Sequence, residues 1–370
     1  MIIMNISLNN FLAFQDFSMS MSYPKRIVKS YIQDEFLSGH PNFRYKKIII
    51  LMGTNAVGKT SLGMMINHIF NFINRKITDD LISAINDKSR DAHFSIDFIL
   101  PDNLQCLHRI EAIFKPDERT EEISITALHK KVNIKKNDSY ERASARFSDI
   151  ESEFDDYINV LRDIPKFGFF FSYPMDVFPN TFPKEYNENY KFILECVLRV
   201  LDNSIVKVEK VQEAKNSYNI HMLDGRNVLI QEGQTVETAP LSSGTKAGIA
   251  IADIITAIRE KRNGFYYCDE RFSYIHSDIE RAILAIMSEL LGQNEQLFFT
   301  THNSDILKMP FPKHSFVFLK KVIESGKTYI SCVNASDFLK RNTDSLRQSV
   351  ENDLFSTAPD TGLLFQVKNI

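Results

Sequence analysis

An α/β fold with a mixed central sheet, an N-terminal antiparallel β-subdomain and a helical insertion follows from three features of the sequence. The run Ile48-Ile49-Ile50-Leu51-Met52 is too continuous for a strand with one wet face and fits a strand buried on both, as a parallel or mixed sheet provides. A glycine-bearing loop follows at once, and then Leu62, Met65, Ile66, Ile69, Phe70 and Ile73 recur at helical spacing, so the order is strand, loop, helix. Alternating apolar residues over 1–12, 14–21, 93–100, 105–114 and 123–129, parted by turn residues such as Pro101-Asp102-Asn103 and Pro116-Asp117, predict antiparallel strands.

The rest of the chain can be placed in order. Phe147, Ile150, Phe154, Tyr157, Leu161 and Ile164 follow a 3,4,3,4,3 spacing that predicts one amphipathic helix with a narrow stripe, packed as a short arm on its own domain or facing a partner. An aromatic strand is expected over 167–173, a connection through Pro174, Pro179 and Pro183, and a helix over 186–201. Strands follow at 206–211, 218–223 and 227–231, the last two joined by Asp224-Gly225, a favoured hairpin turn. A glycine-containing loop at Leu241 opens a helix to about Arg262, and strands at 265–268, 296–300, 316–319 and 328–333 surround a helix over 274–291. This divides the chain into an N-terminal lobe (1–114), an insertion or helical arm (115–200), a C-terminal lobe (201–340) and a tail (341–370).

Composition bounds the function classes. With 370 residues, 44% hydrophobic and 25% charged, the chain can bury a full core without disulfides or structural metal. The longest aliphatic run falls far short of the ~20 residues that span a bilayer, and the N-terminus has no basic region or small-residue cleavage site, so a cytoplasmic protein with no membrane partner is expected. Cys106, Cys196, Cys268 and Cys332 form no Cys-x-x-Cys pair and read as small buried hydrophobes. The net charge of −3 provides no global basic field; Lys130, Lys131, Lys135 and Lys136 form a local basic run of the kind that is usually a solvated face. With 29 Phe and no Trp, an aromatic core is expected.

Gly53-Thr54-Asn55-Ala56-Val57-Gly58-Lys59-Thr60 fits G-x-x-x-x-G-K-[ST] between a buried strand and a helix, the context a phosphate-binding P-loop requires. Gly53 and Gly58 let the backbone wrap so that the N–H groups of the loop and of the helix start, through Ser61, face phosphates. Lys59 would neutralise the outer phosphates and the Thr60 hydroxyl would ligate Mg²⁺, so ATP and Mg²⁺ are the expected ligands. A second acid is needed for the metal, and Asp269 at the end of the apolar strand Phe265-Tyr266-Tyr267-Cys268 supplies it. Glu270, directly beyond, is placed to orient or deprotonate the attacking water.

With these motifs in order, the sequence resembles the ABC-type ATPase heads, because Leu241-Ser242-Ser243-Gly244-Thr245-Lys246 stands where their signature motif does, upstream of Asp269-Glu270 and at a helix start. The resemblance implies that Ser242, Ser243 and Gly244 reach across a head-to-tail dimer to the γ-phosphate held by the other subunit. It also implies that His302, in Phe298-Phe299-Thr300-Thr301-His302-Asn303, senses that phosphate. Asn9-Asn10-Phe11-Leu12-Ala13-Phe14, His276 after Asp269-Glu270, Thr301-His302-Asn303, and Gly326-Lys327-Thr328 leading to Asp337-Phe338 make it most similar to the RecF, SMC and OLD-related group, especially its small AAA-type members. Two departures stand out: Gln105 is a poor candidate for the glutamine that ends a strand after the P-loop, and Thr245 replaces the usual signature Gln, as it does in that subgroup.

Relatives of this kind imply a partner. The Toprim nuclease of OLD proteins uses an Asp-x-Asp pair, which is absent from this sequence, so a nuclease or toxin would be a separate protein. The resemblance implies first an ATPase that gates such an effector in bacterial anti-phage, abortive-infection defence. The alternative is a RecF/SMC-like repair ATPase that clamps DNA, to which the lysine run would contribute.

Overall fold

The chain opens with β1 (Ile2–Asn9) and β2 (Phe17–Ser20), passes through β3 (Phe36–Leu37) and β4 (His40–Arg44), and enters β5 (Ile48–Met52), α1 (Lys59–Arg75) and α2 (Asp79–Ser83). Long strands β6 (Ala92–Leu100), β7 (Asn103–Pro116) and β8 (Ile123–Asn133) lead to α3 (Tyr140–Ala145), β9 (Asp155–Asp156), α4 (Tyr157–Val160) and β10 (Phe169–Ser172). Then come α5 (Glu188–Leu201), β11 (Ile205–Lys210), β12 (Ser217–Met222), β13 (Asn227–Gln231), β14 (Gln234–Thr235) and α6 (Ser243–Arg259). The chain continues through β15 (Phe265–Cys268), α7 (Ser277–Leu290), β16 (Gln296–Thr300), β17 (Phe316–Glu324), β18 (Lys327–Asn334), α8 (Ala335–Phe338) and α9 (Leu346–Glu351). This computed structural model describes residues 1–27, 30–117, 122–173, 188–212, 214–232, 234–235, 241–270, 272, 275–324, 326–341, 344–356 and 367.

Among the described residues, three sheets carry the fold. The order β2-β1-β6-β7-β8-β9 is antiparallel throughout, as the alternating N-terminal segments predicted. The order β10-β15-β16-β5-β17-β18 is parallel from β10 to β17 and closes with the antiparallel β18, which makes the central sheet mixed. A small antiparallel sheet, β11-β12-β13-β14, packs under α5 and α6.

The central strands are apolar along their length because each face meets a different core. Ile49 and Leu51 of β5, Phe265 and Tyr267 of β15 and Phe298 of β16 pack with α1 and the antiparallel sheet. Ile48, Ile50, Met52, Tyr266, Cys268, Leu297 and Phe299 pack on the other side with α6 and α7. Each such side chain stabilises by about 1.5–3 kcal/mol when fully buried, which is how five-residue strands hold the middle of the molecule. The phenylalanines do form an aromatic core: the Phe70 ring lies 5.2 Å from Phe167, 5.3 Å from Phe169 and 5.0 Å from Phe265, centroid to centroid. The two large sheets are also joined by the buried Gln296 amide, whose oxygen accepts from Ile3 N at 2.9 Å while its nitrogen donates to Ile3 O and Lys46 O, both at 3.1 Å.

One expected element does not form. Residues 147–164 are not one amphipathic helix but a 3-10 turn (Arg146–Asp149), the short β9 and the single turn α4. The stripe serves two cores rather than one face: Phe147 and Ile150 pack with Phe43 and Tyr140, whereas Tyr157, Leu161 and Ile164 pack against the α1 core. Between them lie four acidic residues, Glu151, Glu153, Asp155 and Asp156, whose like charges repel, and the Asp156 side chain accepts from Ile158 N at 2.9 Å to start α4. The cysteine expectation also needs correcting. Cys106 and Cys268 are buried, but Cys196 is exposed and Cys332 is half-buried, its thiol donating to Ser18 O. Of the basic run, Lys131, Lys135 and Lys136 are exposed, while Lys130 turns inward to Phe147 O at 3.1 Å. The connection through Pro174, Pro179 and Pro183, the expected helix starts at Tyr186 and Tyr274 and most of the tail from 357 lie outside the described residues.

Candidate functional site

Strands β15, β16 and β5 are adjacent and parallel, with Cys268 opposite Phe299 and Thr300 opposite Leu51. Their carboxyl ends therefore lie side by side, and the residues just beyond them are Asp269-Glu270, Thr301-His302 and Gly53-Thr54. The crevice outside the carboxyl ends of parallel strands is where such sheets bind ligands. Three motifs separated by some 250 residues of sequence thus meet through strand order alone.

The loop after β5 has the backbone its glycines permit. Gly53 has φ 151° and a Cβ there would stand 2.5 Å from Leu319 O; Gly58 has φ 98° and a Cβ would stand 2.3 Å from Ile330 Cδ1. Ala56 also lies in the left-handed region, at φ 60°. Asn55 and Ala56 are exposed at the loop tip, Val57 is buried beneath it, and Ser61 follows in the first turn of α1. Gly58 gives α1 no side-chain cap, so its first N–H groups stay available to an anion. The Tyr267 hydroxyl donates to Lys59 O at 2.7 Å and fixes this helix start to the core.

Lys59 is 3% exposed and its amine donates to Gly53 O at 2.9 Å and Thr54 O at 3.0 Å. The same amine lies 3.3 Å from Glu270 Oε1 and 3.5 Å from His302 Nδ1, and His302 Nε2 lies 2.8 Å from Glu270 Oε1. One neutral tautomer satisfies both ring contacts, with Nε2–H donating to the carboxylate and Nδ1 accepting from the ammonium. The His302 hydrogen bond and the Lys59 charge hold the Glu270 carboxyl below its usual pKa against the effect of burial, while burial lowers that of Lys59. Glu270 has φ 41°, a strained conformation for a non-glycine residue and one that recurs at functional sites.

Asp269 is fully buried between two hydroxyl groups: Thr60 Oγ1 donates to Oδ2 and Thr300 Oγ1 donates to Oδ1, each at 2.6 Å. Burial pushes its carboxyl up, and these two hydrogen bonds pull it back. Thr300 Oγ1 also accepts from Glu270 N at 2.9 Å. A pocket of about 530 Å³ lies beside Gly53, Thr54, Asn55 and His302, and one of about 400 Å³ beside Asn55, Glu270 and His302. A third, of about 930 Å³, lies between Gln15–Ser18, Asn86–Arg90 and Thr328–Cys332, next to the Ile330 side chain that meets Gly58.

Not every expected residue joins this cluster. Ser242, Ser243 and Gly244 start α6, with Ser242 Oγ accepting from Thr245 N at 3.0 Å as its cap, and they line none of these pockets. Gln105 is exposed near the start of β7 and is not at the site. The strand end beside Asp269 is that of β10, where Ser172 O accepts from Asp269 N at 2.8 Å and Tyr173 follows; no glutamine stands there. Thr300, Tyr267 and a buried Glu280 below His302 were not singled out from the sequence. Thr300 carried a weak signal as a polar residue ending an aromatic strand, and the other two carried none.

No protein-family model and no curated protein matches the chain. Among solved structures it is similar to the Smc head domain with an extended coiled coil bound to the C-terminal domain of ScpA, derived from Pyrococcus furiosus, with 10% identity over 91% of this chain and 98% of that one and a TM-score of 0.54. The SMC head domain from Thermotoga maritima aligns at 13% identity over 90% of this chain and 99% of that one, with a TM-score of 0.45. An SmcHead bound to the C-winged helix domain of ScpA aligns at 13% identity, over 91% and 99%, with a TM-score of 0.49. The first of these likenesses carries the assignment of fold: the chain has the fold of the Smc head domain.

Proposed function

We propose that the chain is an ATPase that binds Mg·ATP on Gly53, Asn55, Ala56, Val57, Gly58, Lys59, Thr60 and Ser61 and hydrolyses it to ADP and phosphate. The observation that carries this reading is the convergence of Lys59, Glu270 and His302, in mutual contact, with the Thr60–Asp269 hydrogen bond, the two sets bridged by the Thr300 hydroxyl. Lys59 leaves the carbonyls of Gly53 and Thr54 for the outer phosphates. Glu270, relieved of its lysine partner, becomes more basic and takes a proton from the attacking water on its carboxylate. His302 turns from Glu270 towards the γ-phosphate. The donor set fits magnesium, since Thr60 and Asp269 offer hard oxygen atoms and one Asp269 oxygen is already oriented by Thr300. When bound, the metal neutralises charge on the phosphate oxygens. The pocket beside Ile330 takes the adenosine end.

Two copies close head to tail, so that Ser242, Ser243 and Gly244 of each complete the site of the other. This cycle gates a separate effector, a nuclease or toxin, in anti-phage defence; the signature segment at 241–246 and its resemblance support that role. A second reading, an SMC- or RecF-like ATPase that clamps DNA, is favoured by the likeness to an SMC head and by the exposed Lys131, Lys135 and Lys136. The ScpA domain bound in the Pyrococcus furiosus structure supports a protein partner without fixing its kind.

The expected outcomes are loss of ATP binding in Lys59→Ala, and in Glu270→Gln retained binding with turnover lowered by roughly 10²-fold or more. Turnover at the wild-type rate in Glu270→Gln would show that another group is the base. Tagged Glu270→Gln purified from its host in Mg·ATP should retain a stoichiometric nuclease or toxin. Recovery of DNA with repair factors, together with an ATP-dependent and salt-sensitive gel shift, would favour the clamp instead.

A further inference from the structure

Glu280 has no part in the chemistry above, yet it is 3% exposed and lies on α7 directly beneath the His302 turn. Its two oxygens are shared between the neighbours of that histidine: Thr301 Oγ1 donates to Oε1 and Asn303 Nδ2 donates to Oε2, each at 2.6 Å. Thr301 Oγ1 also accepts from Asn303 N at 2.9 Å, so carboxylate, hydroxyl and amide close into one ring. The Asn303 amide is oriented by a further contact, its oxygen accepting from Asp305 N at 2.9 Å. From this clamped turn the His302 ring reaches Glu270. Burying a carboxyl group is costly unless its hydrogen bonds are met, and here both oxygens are met by the turn that carries the histidine.

We propose that Glu280 is a positioning residue, which grips Thr301 and Asn303 and so holds the His302 ring against Glu270 and the phosphate loop. Its kinetic consequence rests on the ATPase reading, whereas its structural consequence does not. Because α7 begins just after the Asp269-Glu270 segment, one carboxylate joins the segment that carries the base to the segment that carries the histidine. A movement of α7 is therefore passed to His302.

The test compares full-length Glu280→Ala and Glu280→Gln with His302→Ala. Gln can meet the Asn303 amide with its oxygen and the Thr301 hydroxyl with its nitrogen, whereas Ala leaves both unpartnered. The His302 ring signal in a ¹H–¹³C NMR spectrum, assigned by its loss in His302→Ala, should shift or broaden in Glu280→Ala and stay near its wild-type position in Glu280→Gln. The kcat for ATP should fall roughly ten- to hundredfold in Glu280→Ala with KM changed by less than about threefold. The double variant Glu280→Ala/His302→Ala should be no slower than His302→Ala. An unmoved His302 signal, or a double variant whose loss is the product of the two single losses, overturns the proposal. A wild-type protein without turnover would defeat the ATPase reading, while the NMR comparison would still decide the positioning role. Should Glu280→Ala not fold, Thr301→Val, which removes one of the two grips, takes its place in the same comparison.

Discussion

Thr300 Oγ1 donates to Asp269 and accepts from Glu270 N, so one small hydroxyl orients both the candidate metal ligand and the backbone of the candidate base. Thr300→Val keeps the shape and removes both contacts, leaving a buried carboxylate oxygen and an amide short of partners. A loss of about 1–3 kcal/mol in urea unfolding is expected, with Thr300→Ser recovering most of it, and ATP turnover falling in the valine variant alone. An unchanged unfolding midpoint in Thr300→Val would show that water replaces the hydroxyl. Sequence reasoning reached Lys59, Asp269, Glu270 and His302 because each belongs to a motif whose chemistry demands that residue type. It did not reach Thr300 or Glu280, because their partners are decided by which strand and helix lie alongside, a fact of packing rather than of local pattern.

At the level of elements, strands β7 and β8 bring His108 and His129 together, His108 Nδ1 to His129 Nε2 at 3.0 Å, with the His108 ring stacked on Phe98. Burial first, then His129 and Lys131, lower the His108 pKa from 6.5 to about 4. The unfolded chain therefore binds a proton between pH 6.5 and about 4 that the folded chain does not, and this pair loses stability as the pH falls through that window. Unfolding free energy should decline less steeply between those pH values in His108→Leu than in the wild type; equal slopes would refute the assignment. Elements with a regular apolar pattern were readable in the sequence, as the continuous run of β5, the helical spacing of α1 and the alternation of the N-terminal strands illustrate. The 147–164 segment was not, because its regular spacing comes from two separate cores addressed in turn, and periodicity cannot distinguish one continuous face from two short ones.

For the whole molecule, the proposed dimer makes a prediction that a self-sufficient monomer does not. If each site combines the phosphate loop of one chain with the signature of the other, Lys59→Ala and Gly244→Asp are each inactive alone. Mixed in equal amounts, they form heterodimers with one intact composite site, and about a quarter of the wild-type turnover should return. No recovery after mixing and exchange would mean that one chain supplies every group its site needs. The signature residues cap α6 away from the pockets around the phosphate loop, which is the arrangement that motivates the test.

The ion pair between Lys59 and Glu270 also bears on which molecules can enter. The ammonium at the heart of the phosphate loop already has a tethered counter-ion, so chloride or a lone monovalent anion exchanges one negative partner for another and gains little. A triphosphate brings several charges and can outcompete the carboxylate. If the site takes Mg·ATP as proposed, it discriminates by valence before any contact to base or sugar is made, and the exchange that admits the triphosphate releases Glu270 from its lysine partner.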